Sequence, residues 1–120
     1  MKIVEKIIST NNDDFIYEGE GTFKNNVLEF NESDTKVRFV LDKDNIILER
    51  IDLEKELNFN FSKSNSYGFY LFKEYNMKKE LSIVTNELIT NKSSIIIDYD
   101  LVMDGISMGN FKISIKYSNK

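Results

Sequence analysis

Ser93-Ser94-Ile95-Ile96-Ile97-Asp98-Tyr99-Asp100-Leu101-Val102-Met103-Asp104-Gly105 and, beyond that turn, Phe111-Lys112-Ile113-Ser114-Ile115-Lys116-Tyr117 form the stretch whose reading decides the fold. Ile95, Ile97, Tyr99, Leu101 and Met103 lie on one face of an extended run, opposed by Ser94, Asp98, Asp100 and Asp104. Phe111, Ile113, Ile115 and Tyr117 repeat the pattern against Lys112, Ser114, Lys116 and Ser118. A period of two with a polar outer face marks half-buried antiparallel strands.

Similar segments fill the rest of the chain. Ile3 to Thr10 is rich in β-branched residues and ends in the turn cluster Asn11 to Asp14. Phe15 to Phe23 follows with Phe15, Tyr17, Gly19, Gly21 and Phe23 on one side, the glycines leaving room for a bend or a close backbone approach. Asn25-Asn26 suits the two left-handed positions of a type I′ hairpin. Val27 to Asn31, Thr35 to Leu41 and Ile46 to Leu53 read as strands, the last two separated by the turn Asp42 to Asn45. Ile47 to Leu57 also fits a helical wheel, but is assigned to strand.

Phe59 and Phe61 resume strict alternation before a turn at Lys63 to Ser66. Tyr67 to Tyr75 is apolar on both faces, with Phe69, Leu71, Lys73 and Tyr75 on one and Tyr70 and Phe72 on the other. In Lys78 to Thr90 the apolar phase shifts, which predicts a bulge near Asn86. Short strands with regular turns predict a single all-β domain over residues 1–120, a sandwich or barrel of about eight to ten strands.

Composition narrows the chemistry. The chain has no cysteine and no histidine, so thiolate nucleophiles, disulfides and imidazole catalysis are absent. Sixteen basic against twenty acidic residues give a net charge of −4 and no basic stripe, which argues against nucleic acid. No apolar run is long enough to span a bilayer as a helix, and the charged start Met1-Lys2-Ile3-Val4-Glu5-Lys6 does not read as a signal peptide. A soluble cytoplasmic protein with no membrane partner is expected.

The segments Leu81-Ser82-Ile83-Val84-Thr85-Asn86-Glu87-Leu88, Ser94 to Leu101 and Phe111 to Tyr117, in that order, resemble the uncharacterised bacterial YwiB-like family. The resemblance extends more weakly over Gly21 to Asp52, and departs where Asp52 and Lys79 stand in place of the family's glycines. It implies a calycin-like, lipocalin-shaped antiparallel β-barrel, and it implies no catalytic residue or cofactor.

Asp98, Asp100 and Asp104 share one strand face, with neighbours about 7 Å apart, a spacing compatible with paired carboxylates or a hard metal. The solvated face of an amphipathic strand, its acids discouraging edge pairing, is the preferred reading, so no metal or catalytic site is assigned. Asp42-Lys43-Asp44-Asn45 opens like a calcium loop but lacks the glycine and terminal glutamate such a loop needs. Two cations stand on otherwise apolar faces: Arg50, in phase with Ile46 and Leu48, and Lys73, in phase with Phe69 and Leu71.

A buried cation needs a carboxylate, a rim position or an anionic ligand. The expected site is a barrel interior lined by Tyr17, Arg50, Phe69, Lys73, Tyr75, Tyr99, Phe111 and Tyr117, holding a small apolar or amphipathic ligand with its anionic head at Arg50 or Lys73. The competing expectation is a filled barrel in which these cations snorkel to the rim or form an internal ion pair with neighbouring Glu49 or Glu74. A filled barrel would instead serve as a protein-interaction or homodimerising module, through an exposed sheet edge or the strand Tyr67 to Tyr75. In either case a non-enzymatic protein without a cofactor is expected.

Overall fold

The structure, a computed structural model, describes residues 1–11, 14–64 and 66–118. The alternating segments form ten strands: β1 Lys2–Ser9, β2 Phe15–Lys24, β3 Val27–Glu32, β4 Thr35–Leu41, β5 Asn45–Ile51, β6 Lys55–Ser62, β7 Ser66–Phe72, β8 Met77–Thr90, β9 Ser94–Met103 and β10 Ile106–Ser118. Every strand pairs antiparallel with its neighbours in sequence, and β10 pairs with β1, so the meander closes into a barrel. Among the described residues no helix forms, hence none long and apolar enough to cross a membrane.

The expected turns form for the expected reason. Asn25 and Asn26 adopt φ of 53° and 64°, and Asp104 and Gly105 adopt 54° and 78°, the paired left-handed conformations of a tight hairpin. The register of β8 against β9 shifts between Thr85 and Glu87, placing the bulge at Asn86. A second shift, between Ser107 and Gly109 in β10, has no counterpart in the sequence reading. The predicted turns at Asn11 to Asp14 and Lys63 to Ser66 include Asn12, Asp13 and Asn65, which lie outside the described residues.

The meander gives the barrel two ends. Turns at 25–26, 42–44 and 91–93 lie at one, here the lower end; turns at 33–34, 52–54, 73–76 and 104–105 lie at the other, the upper end. Ile95, Ile97 and Tyr99 on β9 and Ile113, Ile115 and Tyr117 on β10 face inward and are buried. Asp98 and Asp100 face outward, where the amides of Asn86 and Asn110 donate to both carboxylates. The orientation that the barrel reading requires is therefore met.

Phe39, Phe59, Phe61, Leu28 and Val37 complete a core whose members are at most a few per cent exposed. The Tyr99 ring sits 4.9 Å from Phe61 and 5.9 Å from Phe59, so aromatic side chains occupy the barrel centre. Two inward glycines make this packing possible. Gly68 pairs directly with Phe59, and a Cβ there would lie 2.5 Å from the Phe59 ring and 2.9 Å from the Asn58 carbonyl oxygen. Gly21 pairs with Phe30 in the same way.

Two segments differ from expectation. The chain turns at 52–54, where the Asp52 carboxylate accepts the backbone N–H groups of Glu54 and Lys55, so the strand predicted to Leu53 ends at Ile51. More consequential is the strand predicted as Tyr67 to Tyr75. It ends at Phe72, and its inward face is Ser66, Gly68 and Tyr70 rather than Phe69, Leu71, Lys73 and Tyr75. Phe59 faces inward, its partner Gly68 must face the same way, and the period of two carries Tyr70 with it. Phe69 lies outside with the Lys78 ammonium 4.5 Å from its ring centre. Closure also removes the free sheet edge considered as a dimerisation surface.

Gly68→Ala is expected to lower stability by about 1–3 kcal/mol through overpacking. Gly105→Ala, where a Cβ meets nothing within 4 Å but φ is +78°, should cost only about 1–2 kcal/mol of backbone strain. Urea midpoints of the two variants check this, and a fully tolerated Gly68→Ala would contradict the glycine–phenylalanine packing.

Candidate functional site

β1, β3 and β5 each carry one charged residue in a largely apolar inward phase. Glu5 follows Ile3, Glu32 follows Leu28 and Phe30, and Arg50 follows Ile46 and Leu48. All three sit in the upper half of the barrel. Arg50 donates through Nη1 to Glu32 Oε2 at 3.0 Å and through Nη2 to Glu32 Oε1, a bidentate charge-assisted pair. Arg50 Nη1 also lies 3.9 Å from Glu5 Oε2.

Glu5 is fully buried, and its carboxyl oxygens accept no hydrogen bond among the described residues. Burial, a shared hydrogen bond with Glu32 and the Glu32 charge push its pKa up to about 9, against a smaller opposing pull from Arg50. At neutral pH Glu5 is therefore a neutral acid beside an ionised Glu32. Burial alone would raise Glu32, but hydrogen bonds from Glu5 and Arg50 and the Arg50 charge outweigh it and hold Glu32 below the ordinary carboxylate value. Burial likewise opposes the Arg50 charge, and the bond to Glu32 with the two nearby carboxyls overrides it.

Arg50 keeps about a quarter of its side chain exposed. It lies in an upper-end cleft of about 310 Å³, lined also by Thr35, Asp52, Lys55, Leu57 and Tyr70. Leu57 and Tyr70 are cross-strand partners on the inner wall, and Lys55 stands above them with its ammonium 5.9 Å from the Tyr70 ring centre. Phe72 stacks on Tyr70 at 5.2 Å. The Lys73 ammonium does not line the cleft, but donates at 2.8 Å to the carbonyl oxygen of Asp52, which does.

A wider cleft of about 530 Å³ lies at the lower end among Asp42 to Ile46, Ser62 to Ser64 and Leu88 to Thr90. Its walls are largely exposed turn residues and it contains none of the buried charges. The upper cleft is the stronger candidate because it joins a partly exposed arginine, a lysine and an aromatic wall.

The site residues expected from sequence are thus dispersed rather than gathered in one interior. Arg50 is in the upper cleft. Tyr17 stacks on Phe30 and Phe111 on Tyr99, both on the inner wall, and Tyr99 fills the barrel centre, its hydroxyl pKa raised by burial. Tyr117 is at the lower end, stacked on Phe23 and donating to the Asn91 carbonyl oxygen. Phe69 is corrected to the outer surface, and Lys73 and Tyr75 to the upper-end turn at 73–76.

The ion-pair partner is corrected too. Glu49, adjacent to Arg50, points to the opposite face and accepts from Arg38 at 2.7 Å. Glu74 belongs to the turn at 73–76. The true partners, Glu32 and Glu5, carried the same signal as Arg50, a charge in an apolar phase, and were overlooked.

No protein-family model and no curated protein sequence matches the chain. Its fold matches the crystal structure of the ywiB protein from Bacillus subtilis, with a TM-score of 0.63 over 98% of this chain and 89% of that one, at 15% sequence identity. The two proteins share a fold, which supports the YwiB-like resemblance at the level of a closed antiparallel β-barrel.

Glu5 holds its proton to about pH 9 when folded and releases it near 4.5 when unfolded. Between those values the folded state carries the extra proton, so stability falls as pH rises. Glu32 acts with the opposite sign: its contribution is present above the ordinary carboxylate range and is lost as pH falls through its lowered value. Melting temperature is expected to decline from about pH 5 to pH 9, and Glu5→Gln to flatten that slope and melt higher at pH 8. Arg50→Met, which strands Glu32, should cost about 3–5 kcal/mol. Thermal melts across pH check both, and an unchanged slope in Glu5→Gln would contradict the neutral buried acid.

Proposed function

We propose that the protein is a non-catalytic binding protein for a small amphipathic anion, held in the upper cleft rather than in the barrel centre. The observation that carries this reading is the cleft itself. Arg50 and Lys55 line the cleft, and Lys73 bonds the carbonyl oxygen of the lining residue Asp52, in a chain whose net charge is −4, against the carboxylates of Glu32 and Asp52. With Glu5 neutral the local balance favours an anion, and Leu57 and Tyr70 offer an apolar wall to the rest of the molecule. A volume of about 310 Å³ suits a small aromatic or short aliphatic carboxylate. The mouths of β-barrels are recurrent ligand sites, which supports the reading by analogy of fold.

A second reading, a homodimer or protein-interaction module, is favoured by the apolar character of the same end. Leu53 is 92% exposed, Tyr75 72% and Ile106 65%, and Phe15, Phe72, Met77 and Met108 are exposed around them. Monomeric proteins rarely gather so many large apolar side chains at one end without a use for them.

Benzoate, phenylacetate and octanoate are expected to raise the melting temperature in a concentration-dependent manner. Lys55→Glu, a surface change, should weaken binding by about tenfold or more. Absence of any shift at millimolar ligand would overturn the binding reading. Light scattering over a range of concentrations tests the second: a dimer dispersed by Leu53→Asp supports it, and a monomer at every concentration removes it.

A further inference from the structure

Glu5 is the one residue of the charge cluster with no exposed atom and no N–H or O–H donor at its oxygens among the described residues, yet it stands beside the arginine that faces the cleft. Arg50 Nη1 is the atom between the two acids, 3.0 Å from Glu32 Oε2 and 3.9 Å from Glu5 Oε2. We propose that Glu5 is a proton-operated positioning residue: protonated, it donates to Glu32 and leaves Arg50 presented to the cleft; ionised, it competes for Nη1 and draws the guanidinium inward. This deepens the binding reading by assigning a control to the same site.

The geometry leaves few other participants. Glu5 on β1 pairs with Tyr17 on β2 and with Ile115 on β10. Across the interior it faces Glu32 on β3 and Arg50 on β5, and Tyr99 on β9 adds its hydroxyl near Arg50. Lys6 and Lys112 belong to the outward phase of their strands. Ionised together, Glu5 and Glu32 would place two negative charges against one guanidinium in a poorly solvated space, so Arg50 must be shared between them. The bidentate hold that presents Arg50 is then lost.

The raised affinity of Glu5 for its proton sets the range in which this occurs, near pH 9. Anion binding and protonation are therefore linked: a ligand on the exposed edge of Arg50 weakens the arginine's pull on Glu5, so Glu5 holds its proton more tightly in the complex.

The test is an NMR titration of protein carrying ¹³C-labelled glutamate and ¹⁵N-labelled arginine, from pH 6 to pH 10.5, with benzoate as the anion probe. The Glu5 carboxyl is expected to titrate near pH 9 and the Arg50 Nε resonance to move with the same midpoint. Benzoate affinity should fall severalfold across that midpoint. In Glu5→Gln, whose amide still donates to Glu32, the Arg50 resonance should stay in its low-pH position and the fall in affinity should vanish. An Arg50 resonance indifferent to Glu5 ionisation in the wild-type protein overturns the proposal. If benzoate binds at no pH, the binding reading fails while the Arg50 titration still decides the positioning role.

Discussion

The structure depends on a single closing contact: β1 hydrogen-bonds to β2 on one side and to β10 on the other. Until the last strand returns, the first has one unpaired edge, and the meander is an open sheet. Closure satisfies both edges and removes a template for edge-to-edge association. It also decides what lies inside. The inward phase of β1 is Ile3, Glu5, Ile7 and Ser9, so sealing the barrel with this strand carries a carboxyl group into the core along with two isoleucines.

A buried acid is tolerable here because of what faces it. Arg50 reaches past Val37 on β4 to Glu32 and comes within 3.9 Å of Glu5. The cluster then carries one guanidinium, one carboxylate and one neutral acid, and is electrically balanced without solvent. The same logic separates the two levels of the interior. Around Tyr99, Phe59 and Phe61 the space is filled by rings packed over glycine, whereas polar groups collect where Arg50 still reaches water. The opening therefore lies at the mouth, where charge and apolar wall meet.

Where one strand face was polar and the other apolar, the fold was legible from sequence alone. Ser93 to Tyr117 is such a stretch, and its isoleucines and tyrosines are inside with Asp98 and Asp100 outside. Tyr67 to Phe72 was not, because apolar residues on both faces leave alternation without a sign, and only pairing with Phe59 supplies one. The site was legible in part. Arg50 stood out as a cation among apolar neighbours, but Glu49 beside it could never be its partner, since adjacent residues on a strand face opposite ways. Glu5 and Glu32 are remote in sequence and meet Arg50 only after closure, although their own phases already pointed inward. The lower-end position of Tyr117 and the outer position of Phe69 follow from register, which composition does not encode.

The central claim is that the barrel centre is filled and that binding, where it occurs, is at the upper mouth. Amide chemical-shift mapping of the ¹⁵N-labelled protein with benzoate tests this most directly. The account predicts perturbations concentrated at Thr35, Arg50, Lys55, Leu57 and Tyr70, with Phe61, Ile97 and Ile115 unmoved. Perturbations centred on Phe61, Ile97 and Tyr99 would contradict it, because they would require a cavity where the structure places side chains.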